Sequence, residues 1–280
     1  MNPLPPIQTA SLFPILHQKL SHLLRTLSSD DWNRETICAG WSVKDVASHL
    51  LDTSLRTIAL YRDAYSSPDN PSIQSYRDLI EYLNQLNNDW VRATRRLSPA
   101  TLIDWLEQSG READALIVAL PPDEPAIFSV AWAGQTVSPN WFHMAREYTE
   151  RWHHQQQIRL AVGLTADLET DELYLPLLDT FMRALPHAYR NTSAPTGTLL
   201  RFLVTDLAAG EWFLLREEGN WELVTNARSR QPDTVVRIDR PYAWQLLTRN
   251  LPTEVAASYI QIDGDEALGR QVLTMRSVMM

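Results

Sequence analysis

A single cysteine, Cys38, stands among 280 residues, so no internal disulfide can form and a disulfide-stapled secreted scaffold is excluded. Basic residues are also in short supply: 25 Lys and Arg face 34 Asp and Glu, a formal net charge of -9. Nucleic acid is therefore not an expected partner, because phosphate binding needs clustered cations that release counterions. No stretch comes near the roughly 20 continuous apolar residues that cross a bilayer, and no membrane domain is expected. The N-terminal MNPLPPIQTA has neither the basic start nor the apolar run of a secretory signal, which makes the cytoplasm the expected location.

What is present is the composition of an ordinary folded protein, 44% hydrophobic and 21% charged. The length suits two domains, since domains most often hold about 100–150 residues. Leu12, Leu16, Leu20, Leu23 and Leu24 recur at spacings of three and four and predict a first helix. Ser42, with Asp45 three residues on, has the form of a capping box and opens a second helix to about Ala64. Pro71-Ser72 opens a third pattern through Leu79, Ile80, Leu83, Leu86, Trp90 and Ala93, and Ser98-Pro99 another that runs to Leu120. Residues 121–140, rich in proline and turn formers, are long for a loop inside a compact domain, and such loops often carry function. Ser138-Pro139 then opens a helix that Gly163 is placed to stop.

Beyond Gly163 the pattern changes. One more helix over 171–189 precedes segments rich in β-branched and aromatic residues, read as strands at 199–204, 212–216 and 221–225. Gly210 and Gly219 mark the turns between them, which predicts a meander. Further strands are expected at 234–238 and 259–262, with helices over 242–249 and 266–275. A boundary between Gly163 and Asp171 divides the chain into domains at 1–165 and 166–280, and the class is α+β.

The candidate chemistry lies in the helices. His143, His153 and His154 fall on one predicted helix with Glu147 and Glu150, and His49 falls midway along the second. Glu150 and His154, four apart, share a helix face and could share a ligand. His49 has Val46 and Thr53 as three- and four-spaced neighbours on its helix and Leu50 beside it, so it is expected to face the core, where an imidazole needs a partner. A divalent metal taking one ligand from one helix and an i, i+4 pair from the other would satisfy all three residues. Spacing alone leaves other arrangements open. His143 with Glu147, or Glu150 with His153, are geometrically similar pairs, and His143, Glu147, Glu150, His154 and Gln157 could form a solvated polar stripe.

The segment Gly40-Trp41-Ser42-Val43-Lys44-Asp45-Val46-Ala47-Ser48-His49-Leu50 resembles the W-S-V-x-D-V-x-x-H-L stretch of the mycothiol-dependent maleylpyruvate isomerase family, a branch of the DinB-like metal-binding bundles. Glu150-x-x-x-His154 resembles the second ligand pair of that branch. The resemblance implies an N-terminal DinB-like four-helix bundle followed by a small α/β domain resembling sterol-carrier folds, to which RPYAWQLLTRN and IQIDGDEALGRQVL are similar. It implies that His49, Glu150 and His154 hold a divalent metal, zinc or a relative such as nickel, with a fourth position open. Many members carry an acidic residue three positions after the second histidine. Gln157 stands there in this sequence, a departure at a position whose implied role is to orient His154 through a hydrogen bond, and one that bears on tuning of the site rather than on metal binding.

A metal-dependent enzyme is implied, one that uses a low-molecular-weight thiol such as mycothiol or bacillithiol for S-transfer or for thiol-assisted cis-trans isomerisation of a small electrophile. Cys38 could instead supply the sulfur, although a lone buried cysteine more often only packs. No catalytic residue is assigned. Arg56, Arg146 and Arg249 are candidates for holding an anionic substrate, each equally open to ordinary salt bridging. Bundles of this kind often pair, so a homodimer is an expectation. The alternative is a non-catalytic metal-binding or stress-response scaffold, whose metal would be closed off by His143, His153 or Glu147. An enzyme would leave that position reachable beside the loop around Trp132. A third reading is a metal hydrolase with Glu147 as the base.

Overall fold

The computed structural model describes residues 4–66, 71–225, 230–248 and 250–275. The chain divides into two compact units, one formed by Thr9–Pro122 with Glu147–Leu168, the other by Met1–Gln8, Asp123–Arg146 and Glu169–Met279. No helix among the described residues is long and apolar enough to cross a membrane.

The first unit is helical. It contains α1 (Phe13–Thr26), α2 (Ser29–Trp32), α3 (Val43–Tyr61), α4 (Tyr76–Thr94), α5 (Pro99–Val118) and the later part of α6 (Asn140–Val162). The stop signals and most start signals act as their chemistry dictates. Ser98 caps α5 with Pro99 in its first turn, and Gly163, at φ 76°, follows the end of α6 in the left-handed conformation that glycine adopts without strain. α4 starts at Tyr76 rather than at Pro71-Ser72, because Ser75 accepts a hydrogen bond from the Asp78 amide and so supplies the cap further along. The short α2 was not apparent from periodicity, although Ser28 and Asp31 close a capping box around it.

The leucine face of α1 meets Val43, Val46, Ala47, Leu50 and Leu51 of α3 and Leu102, Ile103 and Leu106 of α5 in one apolar core. α4 joins α3 through Trp90, whose indole donates to the Ser48 carbonyl at 2.9 Å, and through the hydroxyls of Ser48 and Thr94. α6 enters this core with polar side chains. Gln155 donates to the Leu16 carbonyl at 2.9 Å, and the buried Arg159 reaches the Lys19 carbonyl at 3.2 Å and the Asp167 carboxylate at 2.7 Å. These bonds fix the rotation of α6 about its axis against α1 and against the turn that follows it.

The second unit carries a five-stranded sheet in the order β3-β2-β1-β4-β5, formed by β1 (Leu199–Val204), β2 (Glu211–Arg216), β3 (Trp221–Val224), β4 (Thr234–Ile238) and β5 (Ile260–Gly264). The expected meander is present as β1, β2 and β3, all antiparallel. β4 then returns parallel to β1, a long-range pairing that local sequence does not encode. The helix expected over 171–189 divides into α7 (Asp171–Met182) and α8 (Leu185–Tyr189). Pro186 has no N–H to give to Met182, so the hydrogen-bond ladder stops and a new helix begins with the proline in its first turn. α9 (Arg240–Leu247), α10 (Thr253–Ala256) and α11 (Glu266–Arg270) complete the unit. The buried Tyr174 hydroxyl donates to the Arg240 carbonyl at 2.8 Å and accepts from the Trp244 amide at 3.1 Å, which joins α7 to α9.

The start of α3 is the best-determined junction of the helical unit. Asp45 accepts from the Ser42 amide at 3.1 Å and from both Nε and Nη2 of Arg95, each at 3.1 Å, while Ser42 accepts from the Asp45 amide. Burial alone would raise the Asp45 pKa, but the hydrogen bonds from Arg95 and Ser42 outweigh it and hold the carboxyl below its usual value. A depressed carboxylate pKa adds stability above its unfolded value, and that stability is lost as pH falls through the folded one. Asp45→Asn is expected to cost about 1–2 kcal/mol in urea unfolding at neutral pH, allowing for the solvent exposure of Arg95. The gap to wild type should close as pH falls through the carboxylate range; a gap independent of pH would contradict the ion-pair account.

Candidate metal centre

The capping box that starts α3 also sets the phase of His49, about two turns beyond Ser42. His49 is 6% exposed and packs between two rings, Trp41 at 5.3 Å and His154 at 4.6 Å between centroids. On α6, Glu150 Oε2 lies 3.5 Å from His154 Nε2, as the four-residue spacing requires. Within the helical unit the structure places the His49 ring against His154 and Glu150 beside His154, although His49 is not in the group of residues whose ligand atoms all lie within 4.8 Å of one another. It adds His153, whose ring lies 4.2 Å from that of His154. One ligand atom from each of Glu150, His153 and His154 lies within 4.8 Å of the others.

Gln157 hydrogen-bonds the His154 ring although it is not the acidic residue many members have. Its Oε1 accepts from His154 Nδ1 at 2.9 Å, and its Nε2 lies 3.1 Å from His153 Nε2. With its Nδ1 proton engaged in this way, His154 turns the Nε2 lone pair toward Glu150. Burial drives the pKa of His49 and of His153 well below the ordinary imidazole value, and the neighbouring His154 adds to the shift in both. Neutral rings are the metal-binding form. His49 Nδ1 is buried without a hydrogen-bond partner, an arrangement that is costly for an isolated core histidine. Two imidazoles and a carboxylate suit zinc and related divalent cations, so the residues present fit a metal.

The other candidates have distinct surroundings. Arg56 pairs with Asp52 at 3.1 Å, is 43% exposed in its side chain, and its charge contributes to the lowered His49 pKa. Asp52, three residues beyond His49 on α3, is itself buried, and burial raises its pKa against the pull of Arg56. Arg146 hydrogen-bonds the His143 ring at 2.9 Å. Arg249 lies outside the described residues. Burial pushes the Cys38 thiol up, so the thiolate is disfavoured there. Trp41 was part of the recognised segment, but its contact with the His49 ring could not be read from spacing.

A family model described as the mycothiol maleylpyruvate isomerase N-terminal domain matches residues 13–159, a span that contains His49, Glu150 and His154. The chain belongs to this family. Two crystal structures of mycothiol-dependent maleylpyruvate isomerase, one of them of a histidine-to-alanine mutant, are similar over 94% of this chain and 96% of theirs, with a TM-score of 0.56 and 14% identity. At that identity the likeness establishes the α+β fold. No curated protein matches the sequence.

The buried imidazoles have a consequence for metal-free protein. A histidine whose folded pKa is lowered binds fewer protons than in the unfolded chain, so stability is complete above the unfolded value and falls as pH drops below it. Urea unfolding between pH 8 and 5 in the presence of a chelator should show this loss, approaching about 1.4 kcal/mol per pH unit for each such ring. His49→Asn should flatten the slope. An unchanged slope in that variant would mean that His49 is not held neutral by burial.

Proposed function

We propose that the chain is a metal-dependent enzyme that uses a low-molecular-weight thiol, mycothiol or bacillithiol, to act on a small electrophile, either transferring sulfur to it or isomerising its activated double bond. The observation that carries this reading is the packing of His49 from α3 against His154 of α6, with Glu150 beside His154, within a span that the isomerase family model matches. His49, Glu150 and His154 would hold a divalent cation, with zinc the best fit to two imidazoles and one carboxylate. Such an ion supplies a Lewis acid that favours thiolate over thiol at neutral pH.

The chain's own residues would prepare this site in three ways. Glu150 provides the single negative charge, so that with two neutral rings the centre keeps a positive charge to attract a thiolate. Gln157 fixes the His154 ring by its hydrogen bond, and Trp41 walls the His49 ring on its other side. Arg56, partly exposed and held by Asp52, is the described arginine suited to an anionic group on the electrophile. In the isomerisation, thiolate adds to a conjugated carbon and the former double bond turns as a single bond. Expulsion of the thiolate then restores the alkene, so no oxidant or reductant is consumed.

Protein purified without added metal or chelator is expected to carry about one divalent ion per chain, lost in His49→Ala and in His154→Ala and kept in Cys38→Ala. The loaded protein should bind mycothiol or bacillithiol and, with one of them, turn over maleylpyruvate or a related activated alkene at a rate at least 100-fold above the His49→Ala variant, as the loss of a metal ligand implies on the order of 100-fold effects. A loaded wild type that neither binds nor turns over any low-molecular-weight thiol would end this reading.

A further inference from the structure

The cluster holds one more imidazole than the proposed ligand set uses. His153 is 2% exposed, sits against His154, and offers a ligand atom within 4.8 Å of those of Glu150 and His154. As a fourth protein ligand it would fill the position that a thiol needs. What separates His153 from His154 is the Gln157 side chain, which touches both rings.

An amide has two unlike ends, one that accepts and one that donates. Its Oε1 takes the Nδ1 proton of His154, which leaves the His154 Nε2 lone pair free on the side of Glu150. Its Nε2 donates to His153 Nε2, which commits the lone pair of that ring and places the proton of the neutral imidazole on Nδ1. The buried His153 Nδ1 has no hydrogen-bond partner, so it is an N–H donor without an acceptor and cannot ligate a cation in that form. A carboxylate at this place would behave differently. With two acceptor oxygens and no donor, it would take a proton from each ring and leave each with a free lone pair.

We propose that Gln157 is a positioning residue that selects between adjacent histidines, releasing His154 to the metal and withholding His153, and so keeps one coordination position for the thiol. This rests on the metal site proposed above, but its first consequence, the proton positions on the two rings, is independent of any metal. In the metal-free protein with 15N-labelled histidine, at a pH above the ordinary imidazole value, two-bond proton–nitrogen NMR reads these positions. Assignment uses His153→Ala and His154→Ala. Both rings are expected with the proton on Nδ1. Gln157→Glu should leave His154 unchanged and move the His153 proton to Nε2. If burying that carboxylate prevents folding, Gln157→Leu serves instead, and His153 should no longer be held in the Nδ1 form.

The second arm uses Co(II)-loaded protein and 2-mercaptoethanol. Wild type should develop a sulfur-to-cobalt charge-transfer band, Gln157→Glu should lose it, and the addition of His153→Ala to Gln157→Glu should restore it. A His153 proton on Nε2 in wild type, or a charge-transfer band unaffected by Gln157→Glu, would overturn the selection by Gln157 while leaving a metal site at His49, Glu150 and His154 intact. Proton positions as stated in a wild type that binds no cation would support the selection and overturn the proposed function.

Discussion

From Trp152 to Arg159 every side chain of α6 is at most 8% exposed, and six of those eight residues are polar. Taking that many amides, imidazoles and a guanidinium out of water is unfavourable unless each finds a partner. The rest of the helical unit is arranged around this requirement. Gln155 and Arg159 bond backbone carbonyls of α1, Gln156 bonds the Thr165 carbonyl, and Gln157 bonds two histidines. Net gain from each such bond is about 1 kcal/mol, but loss of a partner inside the core costs more than the bond contributes. The register of α6 is thereby over-determined, and Glu150 and His154 are delivered to one place.

Rigidity of that kind is what a metal site needs. His49 comes from α3, whose own phase is set by the Ser42–Asp45 capping box and the bidentate Arg95 contact, so both helices reach the cluster from fixed starting points. Packing of Val46, Ala47, Leu50 and Leu51 against α1 and α5 supplies the apolar support. The polar cluster is then a small region of high cost inside a conventional core, and the buried Nδ1 atoms of His49 and His153 are where that cost is left uncompensated by protein. Such residual cost is more common at functional sites than in purely structural interiors.

Much of this was legible in the amino-acid sequence, for reasons that are local. The caps at Ser42 and Ser98, the stop at Gly163 and the apolar and aromatic content of β1, β2 and β3 are encoded within a few residues of where they act. The pairing of β4 with β1, 34 residues apart in register from Leu200 to Thr234, is not, because parallel neighbours are chosen by tertiary packing. In the site, the proximity of Glu150 and His154 follows from helix geometry, and the likeness of the segment around His49 to the isomerase family linked the two helices. The burial of Gln155, Gln156 and Gln157 was illegible, since Gln155 is covered through a bond to the Leu16 carbonyl of α1, far away in sequence. The double engagement of Gln157 was likewise hidden, since spacing places both histidines within its reach but cannot say which end of the amide meets which ring.

The central claim is that this cluster is a metal centre with a position open to an external thiol. Zinc-edge X-ray absorption of the zinc-loaded protein, recorded before and after addition of mycothiol or bacillithiol, tests it most directly. Two imidazoles with oxygen donors at first, and a sulfur neighbour at about 2.3 Å after the thiol is added, is the result the account predicts. A shell of nitrogen and oxygen that does not change when the thiol is present would contradict it.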